Sequence, residues 1–393
     1  MKNKRLWIIL SIVLIFCLAF GLRTYAAFHL NIDHDETTYL IASNQYTNFI
    51  RNGQLNWLAW NRTNYEHPSL NKIVFGIALL TQAPLEKVLQ SDLIDEAPVG
   101  EQQAVEYAMA ARFVSVGFGS LAVLLLSILN PLAGFFLAVD TLAIKYTSEV
   151  YLEAMPMLFS LLSVIAYARF YAILTKMPIE KKKANRWLLL SAISLGITAA
   201  CKYIYCVAGL AIALHWIIAV IGKKIPAKSM LTLLAWGVLS IGFFFLFNPF
   251  LWVHTFERLG ETLRYHMRFQ VSKHVQSANY PFWQPINWLF SPFRTYSPVH
   301  DPRPNDAFLF SIDTLIFFLA LIGIPRTYKR QPVFLIWLVV AMVTLFLWGS
   351  KWAQYPCIIL APWCFSAAQG VFTLVDLFMQ KILKKKKAPE LQA

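Results

Sequence analysis

The stretch "LWIILSIVLIFCLAF", residues 6–20, decides the fold class because it opens an apolar run that extends to about residue 30. A run of this length covers the roughly 20 residues that a helix needs to cross a bilayer. Basic residues precede it, as in a secretory signal, but no clear small-x-small cleavage site interrupts it early. We therefore predict a retained first membrane helix, with a long signal peptide as the alternative.

The composition extends this conclusion to the whole chain. Of its 393 residues, 58% are hydrophobic and only 14% are charged, and the mean hydropathy is +0.52. A soluble fold of this size could not bury so many apolar runs, and the alternation typical of a membrane β-barrel is absent. The sequence predicts an all-α fold, a polytopic membrane helix bundle of about ten transmembrane helices. The predicted spans are residues 6–27, 108–128, 131–147, 152–173, 187–203, 205–221, 230–247, 308–324, 333–349 and 356–379.

The net charge of +14 is concentrated in short breaks between the apolar runs. Clusters of lysine and arginine occupy residues 2–5, 176–186, 223–228 and 326–330. Under the positive-inside rule these are cytoplasmic anchors, and their contact with anionic membrane lipids explains the charge without nucleic acid. We therefore predict one transmembrane domain over residues 1–380, a basic cytoplasmic tail over 381–393, and both termini in the cytoplasm. The plasma (inner) membrane is the expected location.

Two long loops are left on the outer side, over residues 28–107 and 248–307. The first holds ten of the 21 acidic residues, and the second mixes histidines and arginines with tryptophans and prolines. Aromatic residues beside prolines are typical of segments in the headgroup layer. The stretch "LNKIVFGIALLTQ", residues 70–82, is short for a span, so we expect it to lie on the membrane surface. Together the loops are expected to form an outward-facing cavity with surface-lying helices.

The stretch "NIDHDETTYL", residues 31–40, places three carboxylates just past the first span. Asp33 and Glu36 have the spacing of a capping box that would open a helix near His34. This structural explanation leaves Asp35 without a role. Because ionisable groups near membrane depth are functional by default, Asp35 is a candidate catalytic residue.

Three ionisable residues inside predicted spans have a simpler explanation. Arg112 stands near the start of the second span and is expected to pair with an acid of the first loop. Asp140 and Lys145 belong to the predicted span 131–147 and are expected to pair with other groups of the bundle. Pairing of this kind is the usual state of charged side chains in transmembrane segments.

A second motif in the first loop is "NRTNYEHPSLNK", residues 61–72. With the Asp-Glu pair past the first span, its His-Pro-x-Leu pattern resembles the polyprenyl-phosphate-sugar-dependent glycosyltransferases of the GT-C superfamily. That group includes protein O-mannosyltransferases and lipid A aminoarabinose transferases. Ser69 replaces the second proline of the family motif. Weaker matches follow in order at residues 107–123, 148–159, 196–205 and 351–363.

The resemblance implies a membrane enzyme that moves a sugar from a polyprenyl-phosphate donor to an acceptor hydroxyl at the outer membrane face. Lipid phosphate is already a fair leaving group, so the reaction needs a base for the acceptor and positive charge for the phosphate. A base opposite the leaving group gives inversion at the sugar. The resemblance places Asp35 at the family's catalytic aspartate and assigns Glu36 to orienting it or holding the acceptor. The acceptor stays open among protein, lipid and glycan.

The remaining candidate residues divide between the acceptor or a metal and the donor phosphate. Glu66 and Glu153 are candidates for acceptor contacts or for a divalent metal ion, with His67 as a nitrogen ligand. No spacing is diagnostic of a metal, and a histidine in an aromatic loop is more often a hydrogen-bonded structural residue. The candidates for the donor phosphate are Lys72, Lys202, Lys351 and Tyr355. A snorkelling side chain is the alternative for Lys351, and a tight turn for Lys202.

Two other classes of protein stay open as alternatives. A secondary transporter would carry ionisable groups near the midplane and broken helices in paired halves. Here the acids lie in loops at one face, which favours an enzyme. A non-catalytic subunit that binds lipid-linked glycans would share the fold but lack a working site, and the intact Asp35-Glu36 pair argues against it.

Overall fold

The computed structural model of the protein describes residues 2–82, 98–176, 180–291 and 311–387. Side chains are described at 5–82, 105–176, 180–291 and 311–382. Some predictions concern residues outside these ranges and stay untested. They are the acids Glu86, Asp92, Asp95 and Glu96 of the first loop, residues 292–307 of the second, the start of the predicted span 308–324, and the end of the tail.

Every regular element within the described ranges is a helix, which confirms the all-α prediction for that part of the chain. The α-helices are α1 (Lys2–His29), α2 (His34–Arg51), α3 (Leu70–Leu79), α4 (Pro98–Leu129), α5 (Pro131–Val139), α6 (Thr141–Tyr146), α7 (Ala154–Leu174), α8 (Lys181–Cys201), α9 (Val207–Ile221), α10 (Ser229–Leu246), α11 (Thr255–Gln270), α12 (Lys273–Ala278), α13 (Gln284–Phe290), α14 (Asp313–Arg330), α15 (Pro332–Leu347) and α16 (Leu360–Lys387). Short 3₁₀ turns connect some of them, at Leu55–Trp60, Tyr203–Cys206, Pro249–Trp252 and Tyr355–Ile359.

Seven helical segments of the described chain are long and apolar enough to cross a membrane. They coincide with seven of the predicted spans, and they are Arg5–His29, Val105–Leu129, Ala154–Leu174, Lys181–Cys201, Tyr203–Ile221, Ser229–Leu246 and Tyr355–Ile382. The other predicted spans contain helices that are shorter or more polar, namely α5 with α6, α14, and α15. The protein is a membrane helix bundle, and the total of about ten crossings stays a prediction.

The predicted span over residues 131–147 is two helices rather than one, because the chain turns at Asp140. The Asp140 N–H still bonds the Phe136 carbonyl at 2.9 Å, while its side chain accepts the Ala143 N–H and caps α6. At about 1.5 Å per residue, neither short helix can cross a core of roughly 30 Å alone. α3 has ten residues and is too short for the same reason, in agreement with its prediction as a non-crossing segment.

The close packing of α14 against α16 depends on two glycines. A Cβ atom added at Gly323 would lie 1.8 Å from the Ser366 carbonyl oxygen, and one added at Gly370 would lie 2.0 Å from the Leu319 carbonyl oxygen. Membrane helices often use small residues at crossing points so that their backbones can approach. Any larger side chain at these positions would force the two helices apart.

Several chain turns meet at one end of the bundle. The residues that follow α1 contact those that precede α7, since Tyr151 Oη donates to Asp33 Oδ1 at 2.6 Å. The residue that follows α8, Lys202, pairs with Glu153 at the start of α7. These turns place polar side chains from distant parts of the sequence beside one another.

α11 is fastened to the first loop by one buried arginine. The Arg258 guanidinium donates to the carbonyls of Ala59 and Phe250. It also lies 5.2 Å from the ring centroid of Trp60 and 4.7 Å from that of Phe250. The two loops that the sequence analysis assigned to one side are therefore in direct contact.

Candidate active site

A cavity of about 580 Å³ lies where these chain turns meet. Its walls come from both predicted outer loops and from the turns before α7 and α16. The candidate residues on its walls are Asp35, Glu66, His67, Lys202 and Tyr355. The expectation that the two loops form a shared cavity is confirmed, and the side of the membrane that it faces stays a prediction.

Asp35 lies in the first turn of α2, and the helix cap leaves its carboxylate free to face the cavity. Asp33 accepts the Asp35 N–H at 3.2 Å, and Glu36 accepts the Asp33 N–H at 3.1 Å. The predicted capping box is therefore confirmed. Within the described chain, the hydrogen bond to the Asp35 carboxylate comes from Gln354 Nε2 at 3.3 Å.

The two aspartates of this turn have opposite electrostatic surroundings. Burial and the charge of Asp33 raise the pKa of Asp35 above its usual value, although Lys202 acts against the shift. Burial also raises the pKa of Asp33, but the nearby charge of Lys145 and the hydrogen bond from Tyr151 outweigh it and lower that pKa. Asp33 is therefore a fixed charge, whereas Asp35 is the better proton acceptor of the pair.

Glu36 does not line the cavity, because its carboxylate is used inside the protein. Arg112 donates to it twice, from Nε at 2.9 Å and from a terminal nitrogen at 2.5 Å. The Val150 N–H donates a third bond at 2.6 Å. The expected pairing of Arg112 with an acid of the first loop is confirmed. These contacts use the Glu36 carboxylate inside the protein, and both roles considered for it stay predictions.

Lys72 shapes the loop that carries Glu66 and His67 to the cavity wall. Its ammonium donates to the carbonyl oxygens of Asn64 at 2.5 Å and His67 at 2.9 Å. Asn64 in turn donates from Nδ2 to Glu66 Oε1 at 2.7 Å. Burial and the charge of Lys202 hold the pKa of His67 well below its usual value, so its imidazole is neutral.

Lys202 supplies positive charge to the cavity from the turn after α8. It forms an ion pair with Glu153, and its Nζ lies 5.6 Å from the ring centroid of Tyr355. Burial acts to lower the pKa of Lys202, but Glu153 raises it above its usual value. An ammonium carries three N–H donors, so Lys202 can bind an arriving anion while it keeps its contact with Glu153.

The remaining donor-phosphate candidates lie off this cavity. Lys351 is buried and donates to the carbonyls of Phe346 and Trp348. Lys72 is buried as well, and its hydrogen bonds go to the loop described above. The cavity thus brings together Lys202 and Tyr355, but not Lys72 or Lys351.

The comparisons with known proteins found similarity to solved structures. No protein-family model matches the chain, and no curated protein does. The archaeal oligosaccharyltransferase AglB from Archaeoglobus fulgidus, solved with an inhibitory peptide and a dolichol-phosphate, superposes with a TM-score of 0.55 at 13% identity. ArnT from Cupriavidus metallidurans, bound to undecaprenyl phosphate, superposes with a TM-score of 0.52 at 13% identity, and its apo form with 0.52 at 12%.

The alignments cover almost all of this chain, 98% with AglB and 93% with bound ArnT. The chain spans about half the length of these proteins, 52% and 59% respectively. Both are membrane transferases of the GT-C class. This chain shares their fold. The resemblance drawn from the sequence motifs is therefore confirmed at the level of the fold.

The divalent metal ion that the sequence left open has no ready site among the described residues. No group of three or more His, Cys, Asp or Glu side chains among them has an arrangement that could hold a metal. Glu66 accepts from Asn64, and Glu153 pairs with Lys202. The His67 ring packs against other rings, at a centroid distance of 5.8 Å from His266. A role in metal binding therefore stays untested for Glu66, Glu153 and His67.

Sequence reasoning did not name two residues that line this cavity. Tyr151 and Gln354 both line the cavity and contact Asp33 and Asp35. Each stands inside one of the weaker matches to the family, Tyr151 in residues 148–159 ("SEVYLEAMPMLF") and Gln354 in residues 351–363 ("KWAQYPCIILAPW"). The order of motifs along a chain does not indicate which side chains meet, and the charged neighbours of these two residues carry the more obvious chemistry.

Proposed function

We propose that this protein is an integral membrane glycosyltransferase that moves a sugar from a polyprenyl-phosphate donor to an acceptor hydroxyl, with inversion. The observation that carries the proposal is that an available carboxylate, Asp35, and an ammonium, Lys202, line the same cavity. The fold shared with proteins solved with dolichol-phosphate and undecaprenyl phosphate supports the donor class. Because this chain spans about half of their length, its activity is inferred from its own residues.

The reaction needs one base and one site for the leaving group. A carboxylate oxygen of Asp35 would take the proton of the acceptor hydroxyl while the acceptor oxygen attacks the anomeric carbon. The bond between that carbon and the phosphate oxygen would break, and its electron pair would leave with the lipid phosphate. Attack from the side opposite the phosphate inverts the configuration at the sugar, as water attack does in inverting glycosidases.

Lys202 and Tyr355 are the proposed contacts for the departing phosphate. The ammonium would stabilise the negative charge that develops on the leaving oxygen, and the cavity keeps it at a fixed place for that purpose. Glu153 keeps Lys202 charged and directed before the donor arrives. Glu66 and His67 are proposed to contact the acceptor, since both line the cavity without belonging to the helix cap.

The proposed location of the active site is the outer side of the plasma (inner) membrane. The basic clusters stand at the helix ends opposite those that form the cavity, for example at the start of α1 and between α7 and α8. Such clusters favour the cytoplasmic side. Both termini would then be cytoplasmic, and the donor would meet the acceptor outside.

The test uses the full chain in nanodiscs with a panel of polyprenyl-phosphate sugars, with sugar release followed by mass spectrometry. Asp35→Asn should lower turnover by roughly 10²- to 10⁴-fold, the usual contribution of a general base, while donor binding is retained. The matched control is Asp376→Asn, which changes an exposed aspartate on α16 and should keep full turnover.

Three results would contradict the proposal in different ways. Unchanged turnover in Asp35→Asn would contradict the assignment of Asp35 as the base, but not the proposal that the protein is a glycosyltransferase. Donor binding without turnover by the unmodified chain, across the whole panel, would favour a non-catalytic glycan-lipid binding subunit. Absence of both binding and turnover would favour a secondary transporter.

A further inference from the structure

α11 carries a stripe of exposed apolar residues that faces away from the rest of the protein. Phe256, Leu263 and Met267 are 87%, 56% and 63% exposed, and their spacing places them on one side of a helix. Val271 continues the stripe just past the helix end. The opposite side of α11 carries Arg258, which is buried against the first loop. A helix of this pattern on a membrane protein lies in the bilayer surface, with its apolar side toward the acyl chains.

A second cavity, of about 480 Å³, lies along a third face of α11. Arg264 and Arg268 line it one helical turn apart, and we refer to it as the arginine groove. Both arginines are exposed, and within the described chain neither guanidinium group has an ion-pair or hydrogen-bond partner. Glu261 also lines the groove, but it pairs with Arg62 at 2.8 Å. The arginine groove therefore has two uncompensated positive charges.

The arginine groove and the candidate active site share a wall. Tyr265 and Phe269 line both cavities. Their rings are stacked with centroids 5.9 Å apart and an interplanar angle of 8°. The groove thus lies between the apolar stripe on one side and the cavity that holds Asp35 on the other.

We propose that the arginine groove binds the phosphate group of an anionic lipid, whose headgroup then lies beside the active-site cavity. Two guanidinium groups offer forked donors that match phosphate oxygens. The adjacent apolar stripe sets this face of α11 at the depth of lipid phosphates and offers a surface for acyl chains. Free phosphate has the same oxygen acceptors as a lipid headgroup, but it has no acyl chains to bind the apolar stripe, so its affinity should be lower.

The position of the groove also indicates which substrate would use it. A lipid anchored there would present its headgroup across the Tyr265–Phe269 wall to Asp35. An acceptor held in this way would be lipid-borne and anionic. This last step rests on the proposed function, whereas the binding of an anionic lipid does not.

The experiment compares lipid retention by two double variants of the full chain in phosphatidylcholine nanodiscs titrated with phosphatidic acid. Native mass spectrometry counts the phosphatidic acid molecules that stay bound. Arg264→Gln/Arg268→Gln should bind them roughly 10- to 30-fold more weakly, from the usual contribution of two basic residues near a lipid surface. The matched control, Arg51→Gln/Arg169→Gln, removes two exposed arginines of α2 and α7 that stand outside the basic clusters, and it should bind as the unmodified chain does. Arg264→Lys/Arg268→Lys keeps the two positive charges but removes the forked guanidinium donors. Its affinity for phosphatidic acid should lie between those of the unmodified chain and the glutamine variant.

Two further arms separate the possible ligands. Millimolar inorganic phosphate should leave phosphatidic acid bound, and complete displacement would mean that the groove takes free phosphate instead. Binding of a polyprenyl phosphate, measured on the same samples, should be equal in all variants. A parallel loss of donor binding would assign the arginines to the donor, and equal retention in all variants would overturn the groove as a lipid site. None of these readouts depends on turnover, so they can fail while the proposed function stands.

Discussion

The buried ion pair between Glu36 and Arg112 makes the strongest quantitative prediction. Both side chains are 0% exposed. Beyond Glu36, the guanidinium donates to the carbonyls of Ala27 at 2.6 Å, Leu30 at 2.8 Å and Asn31 at 3.1 Å. It thereby ties the end of α1 to α4 and to the first turn of α2. Removing one partner would leave the other as an uncompensated charge inside the protein.

Glu36→Gln keeps the side chain's size but removes its charge. Breaking a buried pair in this way typically costs about 3–5 kcal/mol of unfolding free energy. The matched control is Arg62→Gln, because the Arg62–Glu261 pair has a similar length of 2.8 Å but is 55% and 24% exposed. Exposed pairs contribute about 0–1 kcal/mol, so the two substitutions should differ by roughly 3 kcal/mol.

The measurement is a reversible unfolding titration in mixed micelles, followed by tryptophan fluorescence. The double variant Glu36→Gln/Arg112→Gln should lose less than the sum of its single variants, because it leaves no unpaired charge. If Glu36→Gln instead unfolds within about 1 kcal/mol of Arg62→Gln, the pair does not stabilise the fold as argued. Additive single effects would contradict the coupling.

Three further predictions concern the site and the helix packing. Turnover should fall as the pH drops through the raised pKa of Asp35, because a protonated carboxyl accepts no proton. The midpoint of the acid limb of the pH–turnover profile should therefore lie above the ordinary aspartate pKa of about 4. Lys202→Met should weaken donor binding measured by lipid titration, whereas Lys351→Met should leave it unchanged because that ammonium bonds backbone carbonyls off the cavity; equal losses would refute the assignment. Gly323→Ala should lower the unfolding free energy by at least about 1–3 kcal/mol through overpacking, while Gly237→Ala, with nothing within 4 Å, should not lower it.

Much of the fold was predictable because hydropathy and helix capping are local properties of the sequence. The first membrane helix needs nothing beyond its own apolar run, and the capping box of Asp33 and Glu36 spans four positions. The split of residues 131–147 was not predictable, since Asp140 interrupts an apolar run that looks continuous. From the sequence, an aspartate that caps a helix cannot be distinguished from an aspartate that forms an ion pair inside a membrane span.

The candidate site was predictable in its motifs but not in its side-chain directions. Asp35 and Lys202 were named because their motifs resemble those of a family, and both line the cavity. Lys72 and Lys351 are lysines as well, yet their side chains donate to nearby backbone carbonyls and not to the cavity. Whether a lysine meets a ligand or a carbonyl depends on three-dimensional neighbours that the sequence does not display.

The contact between Gln354 and Asp35 joins residues that are 319 positions apart. During synthesis the N-terminal part of a chain enters its environment first. Asp35 therefore reaches the membrane surface long before the turn in front of α16 exists to enclose it. The wall of the cavity that Gln354 and Tyr355 form is therefore the last to be added. If the proposed function holds, an unfinished chain carries the base without the turn that encloses it, and the proposed reaction has to wait for the last helix.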